Sequence, residues 1–561
     1  MTNIRSGGQL LVEQLRAHGA ELAFCVPGES YLPVLDALYE VRESLRLIVC
    51  RHEGGAANMA EAYGKLTGQP GLCFVTRGPG ATNASIGVHT AYQDSTPLVL
   101  FVGQVGSDVV EREAFQEIDY RRMFGPISKW VAQIDRADRI AEMVSHAFHV
   151  ATSGRPGPVV LALPEDMLVS SATSIEVPRY QRLQAHPGDA AMHRLHDLLD
   201  KATRPLMILG GGGWSAAACR DIQAFAERNA LPVACAFRFQ DLFDNRHELY
   251  VGDVGIGINP QLAQRARDAD LVLAVGPRLG EMTTSGYTLF DVPVPHQTLV
   301  HVHAGVEELG RVYCAALMIN SGMAEFSAAA AQLPSVDSQA WRGWREAARA
   351  DYLANITPGP SPGSLDFAAV LVWLRAHLRA DAILSNGAGN YSAWVHRFYQ
   401  YRGFRTQLAP TSGAMGYGVP AAVAAKLVHP DRVVVSFSGD GCFLMNGQEL
   451  ATAVQYGLGI VFIVVNNGMY GTIRMHQERE YPGRVYGTRL ANPDFAALAR
   501  AYGALGETVE RTAEFAPAFE RALAYGGPAL LELRIDPEAI TPRTTLSAIR
   551  EAALKHASST A

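Results

Sequence analysis

Small polar residues follow two apolar runs in the last third of the sequence, as Gly439-Asp440-Gly441 and Asn466-Asn467. A strand that ends in Gly-Asp-Gly lets the backbone turn tightly, and a helix that begins there directs its first free N–H groups at the turn, which favours a phosphate group. The Asp440 carboxylate and the Asn467 carboxamide are hard oxygen ligands, which Mg²⁺ prefers together with phosphate and water. The two motifs together predict a Mg²⁺ ion that holds a diphosphate, with one helix over 443–454 behind the first motif.

Each motif alone is also typical of an ordinary turn, because Gly, Asp and Asn are common in turns. The pair is harder to obtain by chance, since 24 residues separate Gly441 from Asn466 and each motif directly follows an apolar strand. A third polar residue in a similar place is Glu53, which lies between an apolar run and a stretch rich in Gly and Ala. An exposed glutamate at a helix start is the common alternative, and the small residues beside Glu53 argue against it because they allow a partner to approach closely.

The elements that must position these residues are alternating strands and helices. Continuous Val, Leu, Ile and Phe runs that alternate with helices predict parallel sheets covered on both faces. The alternation occurs in three stretches, and the Pro-, Gly- and Ser-rich segment 356–366 is the clearest linker. The predicted fold class is α/β, with three doubly wound parallel-sheet domains. Their predicted limits are 1–170, 190–340 and 365–545, followed by a helical polar tail over 546–561.

Composition excludes several classes of protein. The chain has 561 residues, a formal net charge of −7 and 18% charged residues, so it carries no basic footprint for nucleic acid or membrane surfaces. Its seven cysteines lie far apart without a CxxC pair, which predicts buried free thiols rather than disulfides or a metal site. The N-terminus shows no basic and apolar leader, and no apolar run approaches the length of a membrane span. We therefore expect a cytoplasmic protein.

The Gly-Asp-Gly motif, 24 residues and Asn-Asn resemble the signature of thiamine diphosphate enzymes. The rest of the chain is similar to the branch that contains acetolactate synthase, pyruvate oxidase and benzaldehyde lyase. The resemblance covers nearly the whole chain, in the order pyrimidine domain, Rossmann-like middle domain and diphosphate domain. It implies a homodimer or homotetramer whose active sites lie between subunits.

The resemblance also implies a set of cofactor residues. Asp440, Asn467 and the carbonyl of Met469 would bind Mg²⁺. The stretch 387–391 would hold the diphosphate, although its Asn390-Tyr391 departs from the Gln-His common in relatives. The residues implied to bind thiamine diphosphate on the diphosphate side are Gly389, Asn390, Tyr391, Gly439, Gly441, Cys442 and Met469.

Activation of the cofactor places demands on three further residues. Glu53 matches the glutamate that shares a proton with the aminopyrimidine ring, an arrangement that an apolar site favours. Met415 matches the bulky apolar residue that wedges between the two rings of the cofactor, and the Gly413 carbonyl would accept a hydrogen bond from its amino group. A methionine in the core is the ordinary alternative for Met415.

Candidate substrate residues are Gln116, Ser30 and His476, with Gln116 expected to bond a substrate oxygen. His476 aligns with a substrate-facing Trp of acetolactate synthase, and Met282 aligns with an Arg that its middle domain uses. Both departures weaken the expectation of a second keto acid as acceptor. Glycine-rich turns in the middle domain leave FAD open, because such turns alone are weak signals.

The predicted function is decarboxylation of a 2-keto acid such as pyruvate and ligation of the remaining unit to a carbonyl acceptor, as in acetolactate synthase. The alternative is a lyase similar to benzaldehyde lyase, which cleaves an acyloin or a 2-hydroxyacyl-CoA without decarboxylation. A more remote alternative is a cofactor-binding relative without catalytic activity. The joint presence of Glu53, Asp440, Asn467 and Met415 argues against that last alternative.

Overall fold

The computed structural model describes residues 4–560, which form two compact units that divide between Ala185 and His186. The first unit contains one six-stranded parallel sheet and a short antiparallel pair. Its strands are β1 (Ile4–Ser6), β2 (Leu22–Cys25), β3 (Arg46–Val49), β4 (Gly71–Val75), β5 (Leu98–Gln104), β6 (Trp130–Gln133), β7 (Pro158–Pro164) and β8 (Ser171–Thr173). Its helices are α1 (Gly7–Ala17), α2 (Leu32–Glu40), α3 (Glu53–Thr67), α4 (Gly78–Asp94), α5 (Tyr120–Phe124), α6 (Ile140–Thr152) and α7 (Glu165–Val169).

The second unit begins with another six-stranded parallel sheet, here called the middle sheet. Its strands are β9 (Pro205–Leu209), β10 (Val233–Cys235), β11 (Tyr250–Asp253), β12 (Leu271–Val275), β13 (Thr298–His303) and β14 (Leu317–Asn320). The helices around it are α8 (Asp189–Asp200), α9 (Ala216–Arg228), α10 (Pro260–Asp268), α11 (Met323–Ala330) and α12 (Arg342–Asn355).

A third six-stranded parallel sheet, the C-terminal sheet, completes the second unit. Its strands are β15 (Ile383–Asn386), β16 (Gln407–Leu408), β17 (Val434–Gly439), β18 (Val461–Asn466), β19 (Leu505–Val509) and β20 (Ala529–Arg534). The helices are α13 (Phe367–His377), α14 (Tyr391–Phe398), α15 (Gly418–Val428), α16 (Asp440–Asn446), α17 (Glu449–Gln455), α18 (Gly471–Glu480), α19 (Phe495–Ala501), α20 (Thr512–Tyr525) and α21 (Leu546–Thr560).

Strand order distinguishes the sheets. The first sheet runs β3-β2-β4-β5-β7-β6 and the C-terminal sheet runs β16-β15-β17-β18-β20-β19, so the two share one topology. The middle sheet runs β11-β10-β9-β12-β13-β14, the order of a dinucleotide-binding fold. In open parallel sheets ligands bind at the carboxyl edge where the strand order reverses. Those switch points lie between β2 and β4, between β9 and β12, and between β15 and β17.

The strands are buried as their sequences predict. β4, β5, β7, β9 and β12 are buried at every position, because helices cover both faces of each sheet. The α/β prediction with three parallel-sheet domains is therefore confirmed, and the linker over 356–366 contains no helix or strand. The predicted tail is the helix α21, while residue 561 lies outside the described residues.

Two sequence expectations need correction. The single helix over 443–454 is divided into α16 and α17, which meet at Gly447-Gln448. A side chain at Gly447 would overlap the Phe443 ring at 2.6 Å, so this glycine allows the tight junction. All seven cysteines are free as predicted, but Cys314 is exposed and Cys219 is only partly buried, whereas the prediction was that all are buried. Within the described residues, the helices are too short or too polar to cross a membrane.

Candidate active site

The carboxyl ends of β17 and β18 bring the Gly-Asp-Gly and Asn-Asn motifs to one edge of the C-terminal sheet. The two strands pair in parallel with Gly439 opposite Val465, so the residues that follow them lie side by side. Asp440 is the first residue of α16 and is only 3% exposed. Both motifs therefore lie at the ends of adjacent parallel strands, as the sequence predicts.

The carboxylate of Asp440 accepts hydrogen bonds on both of its oxygens. Oδ1 accepts from the N–H of Gly441 at 2.9 Å, and Oδ2 accepts from the N–H of Gly468 at 2.9 Å and from Nδ2 of Asn492 at 2.8 Å. Burial raises the pKa of Asp440, while these hydrogen bonds act in the opposite direction. The sequence did not point to Asn492, which lies in a loop before α19. The Pro-Asp that follows it indicates only the start of a helix.

The two residues of the Asn-Asn pair make different contacts. Asn467 Oδ1 accepts from the N–H of Met469 at 3.3 Å, within the loop that follows β18. Asn466 turns to its neighbours in the sheet, and its Nδ2 donates to Glu532 Oε1 of β20 at 2.7 Å. Met469 forms an isolated β-bridge with Arg489, which fixes the loop that carries Asn467 and Met469, two of the three predicted metal ligands.

The loop after β15 lies at the switch point beside β17. Gly389 has a φ of +144°, which favours glycine, and the Tyr391 ring packs so closely on Gly389 and Gly439 that a side chain at either would lie about 3 Å from it. The Tyr391 hydroxyl accepts from the N–H of Gly387 at 2.9 Å and lies 3.5 Å from Cys442 Sγ. Tyr391 is thus a packing residue of this loop, and its contact with a diphosphate stays a prediction.

Asn390 is also engaged inside the protein. Its Oδ1 accepts from the Thr472 hydroxyl at 2.9 Å, and its Nδ2 donates to the carbonyl of Ile540 at 2.9 Å. Asn390 and Tyr391, which stand in place of the Gln-His of relatives, therefore both stabilise the loop through their side chains. A role of Asn390 in diphosphate binding also stays a prediction.

The stretch that carries Gly413 and Met415 is a loop before α15. Gly413 is exposed with a φ of +69°, and Met415 is half-buried against the core of the C-terminal sheet. The loop is tied down on both sides: Arg238 donates to the carbonyl of Pro410, and Asn446 Nδ2 donates to the carbonyl of Gly416 at 3.1 Å. Cys442 Sγ accepts from the N–H of Gly416 at 3.3 Å, which gives this predicted cofactor residue a structural contact.

In the first unit, Glu53 is the first residue of α3 and is half-buried. Its Oε2 accepts from Asn83 Nδ2 at 2.9 Å. His52, for which the sequence suggested no function, caps α3 because its Nδ1 accepts from the N–H of Gly54 at 3.0 Å. Asn83 and His52 thus fix a carboxylate whose position the sequence did predict.

The predicted substrate residues have contrasting surroundings. Ser30 is fully buried, its hydroxyl lies 2.9 Å from that of Thr76, and a side chain at Gly103 would overlap it. Gln116 has a φ of +66°, and within the described residues its buried Oε1 has no hydrogen-bond partner. His476 is exposed on α18. Of the three residues, Gln116 fits a ligand-facing role best. Its strained backbone costs energy and its buried Oε1 lacks a hydrogen bond, and a bound ligand would supply that bond.

The residues at the edge of the C-terminal sheet fit a hard cation and its diphosphate. Asp440 and Asn467 supply oxygen atoms on adjacent strands, and Asn492 beside them has a buried Oδ1 that no group in the described chain satisfies. Oxygen donors of this kind suit Mg²⁺, which keeps several waters or phosphate oxygens of its own. This donor set suits a magnesium diphosphate better than a softer metal.

Three family models match the chain in the order of its three sheets. The "Thiamine pyrophosphate enzyme, N-terminal TPP binding domain" matches residues 5–123, the "central domain" of the same enzymes matches 192–329 and the "C-terminal TPP binding domain" matches 387–533. The chain belongs to the thiamine pyrophosphate enzyme family. As a member of this family it is a thiamine diphosphate-dependent enzyme, since thiamine pyrophosphate is another name for that cofactor.

Similar proteins place this family member in the acetolactate synthase branch. An acetolactate synthase large subunit from Corynebacterium glutamicum is 31% identical over 537 residues, which are 92% of this chain and 84% of the relative. The large subunit from Parasynechococcus marenigrum is 34% identical over 89% of this chain and 83% of its own. The isozyme 2 large subunit from Escherichia coli is 30% identical over 95% of this chain and 96% of its own. The predicted acetolactate synthase-like enzyme class is confirmed.

Proposed function

We propose that this enzyme uses Mg²⁺ and thiamine diphosphate to decarboxylate a 2-keto acid and to join the remaining unit to a carbonyl acceptor. The observation that supports the proposal most is the buried Asp440 carboxylate beside Asn467, at the edge where parallel sheets bind phosphate groups. Asp440, Asn467 and the Met469 carbonyl would hold the Mg²⁺. Gly389, with its positive φ, and Gly439 would contribute backbone groups to the diphosphate site, with the Tyr391 ring packed on both glycines.

When bound, thiamine diphosphate supplies a nucleophilic carbon that adds to a carbonyl group. Glu53 would share a proton with the pyrimidine ring, and Asn83 orients that carboxylate through its 2.9 Å hydrogen bond. Met415 would pack against the two rings of the cofactor, and the Gly413 carbonyl would accept a hydrogen bond from its amino group. Gln116 binds the substrate oxygen, which would orient the substrate and keep water away from the reacting carbon.

A second candidate function is cleavage of an acyloin or a 2-hydroxyacyl-CoA. It is favoured by Met282 and His476, which stand where acetolactate synthase carries the Arg and Trp that favour a second keto acid. Met282 is half-buried and offers no charge for a carboxylate. A lyase needs no such charge, because its substrate enters without a keto-acid carboxylate.

The assembly, flavin content and compartment are further parts of the proposal. The active unit is a homodimer or homotetramer, in which Glu53 of one subunit serves the diphosphate site of another. The compartment is the cytoplasm. Whether FAD binds the middle domain is decided by the visible spectrum of the pure protein, where a flavin absorbs strongly.

The deciding experiment combines the purified protein with thiamine diphosphate, Mg²⁺ and pyruvate, and measures CO₂ release together with the coupled product. We expect CO₂ and an acetolactate or acyloin product, and no turnover when Mg²⁺ is removed by a chelator. Aldehyde release from an added acyloin, without CO₂ from pyruvate, would replace the first candidate by the lyase. Failure of thiamine diphosphate to bind in the presence of Mg²⁺ would contradict both candidates.

A further inference from the structure

Asn492 connects the carboxylate of Asp440 to the first residue of the Asn-Asn pair. Its Nδ2 donates both to Asp440 Oδ2, at 2.8 Å, and to Asn466 Oδ1, at 3.0 Å. Asn466 Oδ1 also accepts from the N–H of Gly468 at 3.0 Å. The side chains of Asp440, Asn466 and Asn492 therefore form one hydrogen-bonded group at the ends of β17 and β18.

The network extends into the sheet and determines which way both amides point. Asn466 Nδ2 donates to Glu532, whose residue is 1% exposed and whose other oxygen accepts from Thr508 at 3.0 Å. A carboxylate only accepts, so Asn466 must present its amino group to Glu532 and its oxygen to Asn492. Asn492 must then present its amino group to both Asn466 and Asp440. The orientation of the Asn492 amide is thus fixed by Glu532 through two hydrogen bonds.

The two oxygens of Asp440 accept different numbers of hydrogen bonds. Oδ2 accepts from Asn492 and Gly468, whereas Oδ1 accepts from the adjacent Gly441. An ionised carboxylate has about four acceptor positions, two on each oxygen. Oδ1 is therefore the oxygen with room for a cation, and the donors on Oδ2 prevent the carboxylate from rotating away from it.

We propose that Asn492 and Asn466 are positioning residues that hold Asp440 in the orientation a Mg²⁺ ion requires. The proposal rests on the proposed function, because it assigns their role to the same cation site. Partners that orient a ligating carboxylate commonly contribute tenfold to a hundredfold to metal affinity. The two residues of the Asn-Asn pair then have different roles: Asn467 binds the cation, and Asn466 supports Asp440 through Asn492.

The test compares Asn492→Ala and Asn492→Asp with the wild type and with Asn229→Ala. Asn229 is a matched control from the middle domain: it is 1% exposed, donates to the Phe225 carbonyl at 2.9 Å and accepts from the Val336 N–H at 3.0 Å. The measurement is the Mg²⁺ concentration that gives half-maximal thiamine diphosphate binding, followed by quenching of intrinsic fluorescence. Thermal unfolding of the four proteins without cofactor separates loss of stability from loss of Mg²⁺ affinity.

We expect Asn492→Ala to raise the half-maximal Mg²⁺ concentration by about 10-fold to 100-fold. Asn492→Asp keeps the shape but cannot donate when ionised and repels Asp440, so we expect it to be no better than the alanine variant. Asn229→Ala should lose stability and keep the wild-type Mg²⁺ dependence. If Asn492→Ala does not fold, Asn492→Asp and Asn466→Ala provide the same comparison.

The inference is overturned if both Asn492 variants show the Mg²⁺ dependence of the wild type, or if Asn492→Asp restores it fully. In either case the side chain only fills space, and the proposed function is unaffected. If the wild type itself binds thiamine diphosphate without any need for Mg²⁺, both the cation site and the role of Asn492 are wrong. The wild-type titration therefore distinguishes the two failures.

Discussion

The C-terminal sheet and the middle sheet have the same layers, but different groups lie at the strand ends of their switch points. Between β15 and β17 the strand ends present Gly389, Gly439 and Asp440. Between β9 and β12 the strand ends meet each other instead, since a side chain at Gly211 would lie 1.9 Å from the carbonyl of Gly276. Glycine makes room for the Tyr391 ring in the first case and for a neighbouring backbone carbonyl in the second. The glycine-rich turn at Gly211 therefore gives no argument for a flavin.

Buried carboxylates show the same contrast. The Asp440 carboxylate is held partly by the side chain of Asn492, whereas the Asp241 carboxylate, near the middle sheet, accepts from the backbone N–H groups of Thr406 at 3.0 Å and Gln407 at 3.2 Å. Burial raises the pKa of Asp241 to about 6. A buried acid alone therefore does not define a site, and its partners decide whether it supports the fold or a ligand.

The largest effect is expected from Asp440→Ala, which removes the carboxylate proposed to bind Mg²⁺ at the edge of the C-terminal sheet. We expect loss of Mg²⁺-dependent thiamine diphosphate binding and of all turnover, measured by fluorescence titration and by product formation. Asp241→Asn is the control, because it alters a buried carboxylate that only ties backbone groups together. Equal losses of cofactor binding in the two variants would remove the distinction between the two carboxylates.

Glu53→Gln tests the edge of the first sheet. We expect turnover to fall by about 10³-fold, because the amide cannot take part in proton transfer, while thiamine diphosphate binding stays close to that of the wild type. Steady-state kinetics and cofactor titration on the same sample separate the two quantities. Unchanged turnover would contradict the assignment of Glu53 as the activating carboxylate.

Gly211→Ala tests the packed edge of the middle sheet. The new methyl group would overlap the Gly276 carbonyl, and the φ of +70° also disfavours alanine, so we expect a loss of about 3 kcal/mol in the free energy of unfolding. Chemical denaturation measures it. Gly257→Ala is the control, since its φ is +79° but open space surrounds it, and it should lose only about 1 kcal/mol.

In the folded fraction of Gly211→Ala, the affinity for thiamine diphosphate should match that of the wild type. A specific loss of cofactor affinity there would show that the middle edge takes part in the active site. Similar losses of stability for Gly211→Ala and Gly257→Ala would mean that backbone strain, and not close packing, accounts for the glycine.

The smallest effect concerns Glu478, which anchors α21 to α18. Its oxygens accept from Arg550 at 2.7 Å each, and mainly through these hydrogen bonds the pKa of Glu478 falls to about 2. Because the folded pKa lies below the unfolded value of about 4.3, this stabilisation is complete above that pH and is lost as the pH falls toward 2. Glu478→Gln should lower the free energy of unfolding by about 2 kcal/mol at pH 7.

Denaturation of Glu478→Gln and wild type at pH 7 and at pH 3 measures this contribution. The difference between the two proteins should shrink at the lower pH, because at pH 3 the Glu478 carboxyl is protonated in the unfolded wild type while it is still ionised in the folded protein, and proton uptake then favours unfolding. A constant difference across that range would mean that the ion pair does not carry the attachment of α21.

Some of these features follow directly from the sequence. Hydrophobic runs that alternate with helices indicate parallel sheets, so the positions of Asp440, Asn467 and Glu53 at strand ends were predictable. Asn492 was not, because it lies 25 residues beyond Asn467 in a loop whose path depends on tertiary packing. The internal bonds of Asn390 and Tyr391 were also beyond reach, since they join segments up to 150 residues apart in the chain.

The contacts of Asn390 join the beginning of the C-terminal domain to its end. Through one amide, the loop after β15 is connected to Thr472 at the start of α18 and to Ile540, a few residues before α21. Removing the chain beyond residue 539 would therefore take a hydrogen-bond acceptor away from the loop where a diphosphate is expected to bind. The segment after β20 is in that sense part of the frame of the candidate site, although it lies outside the three family matches.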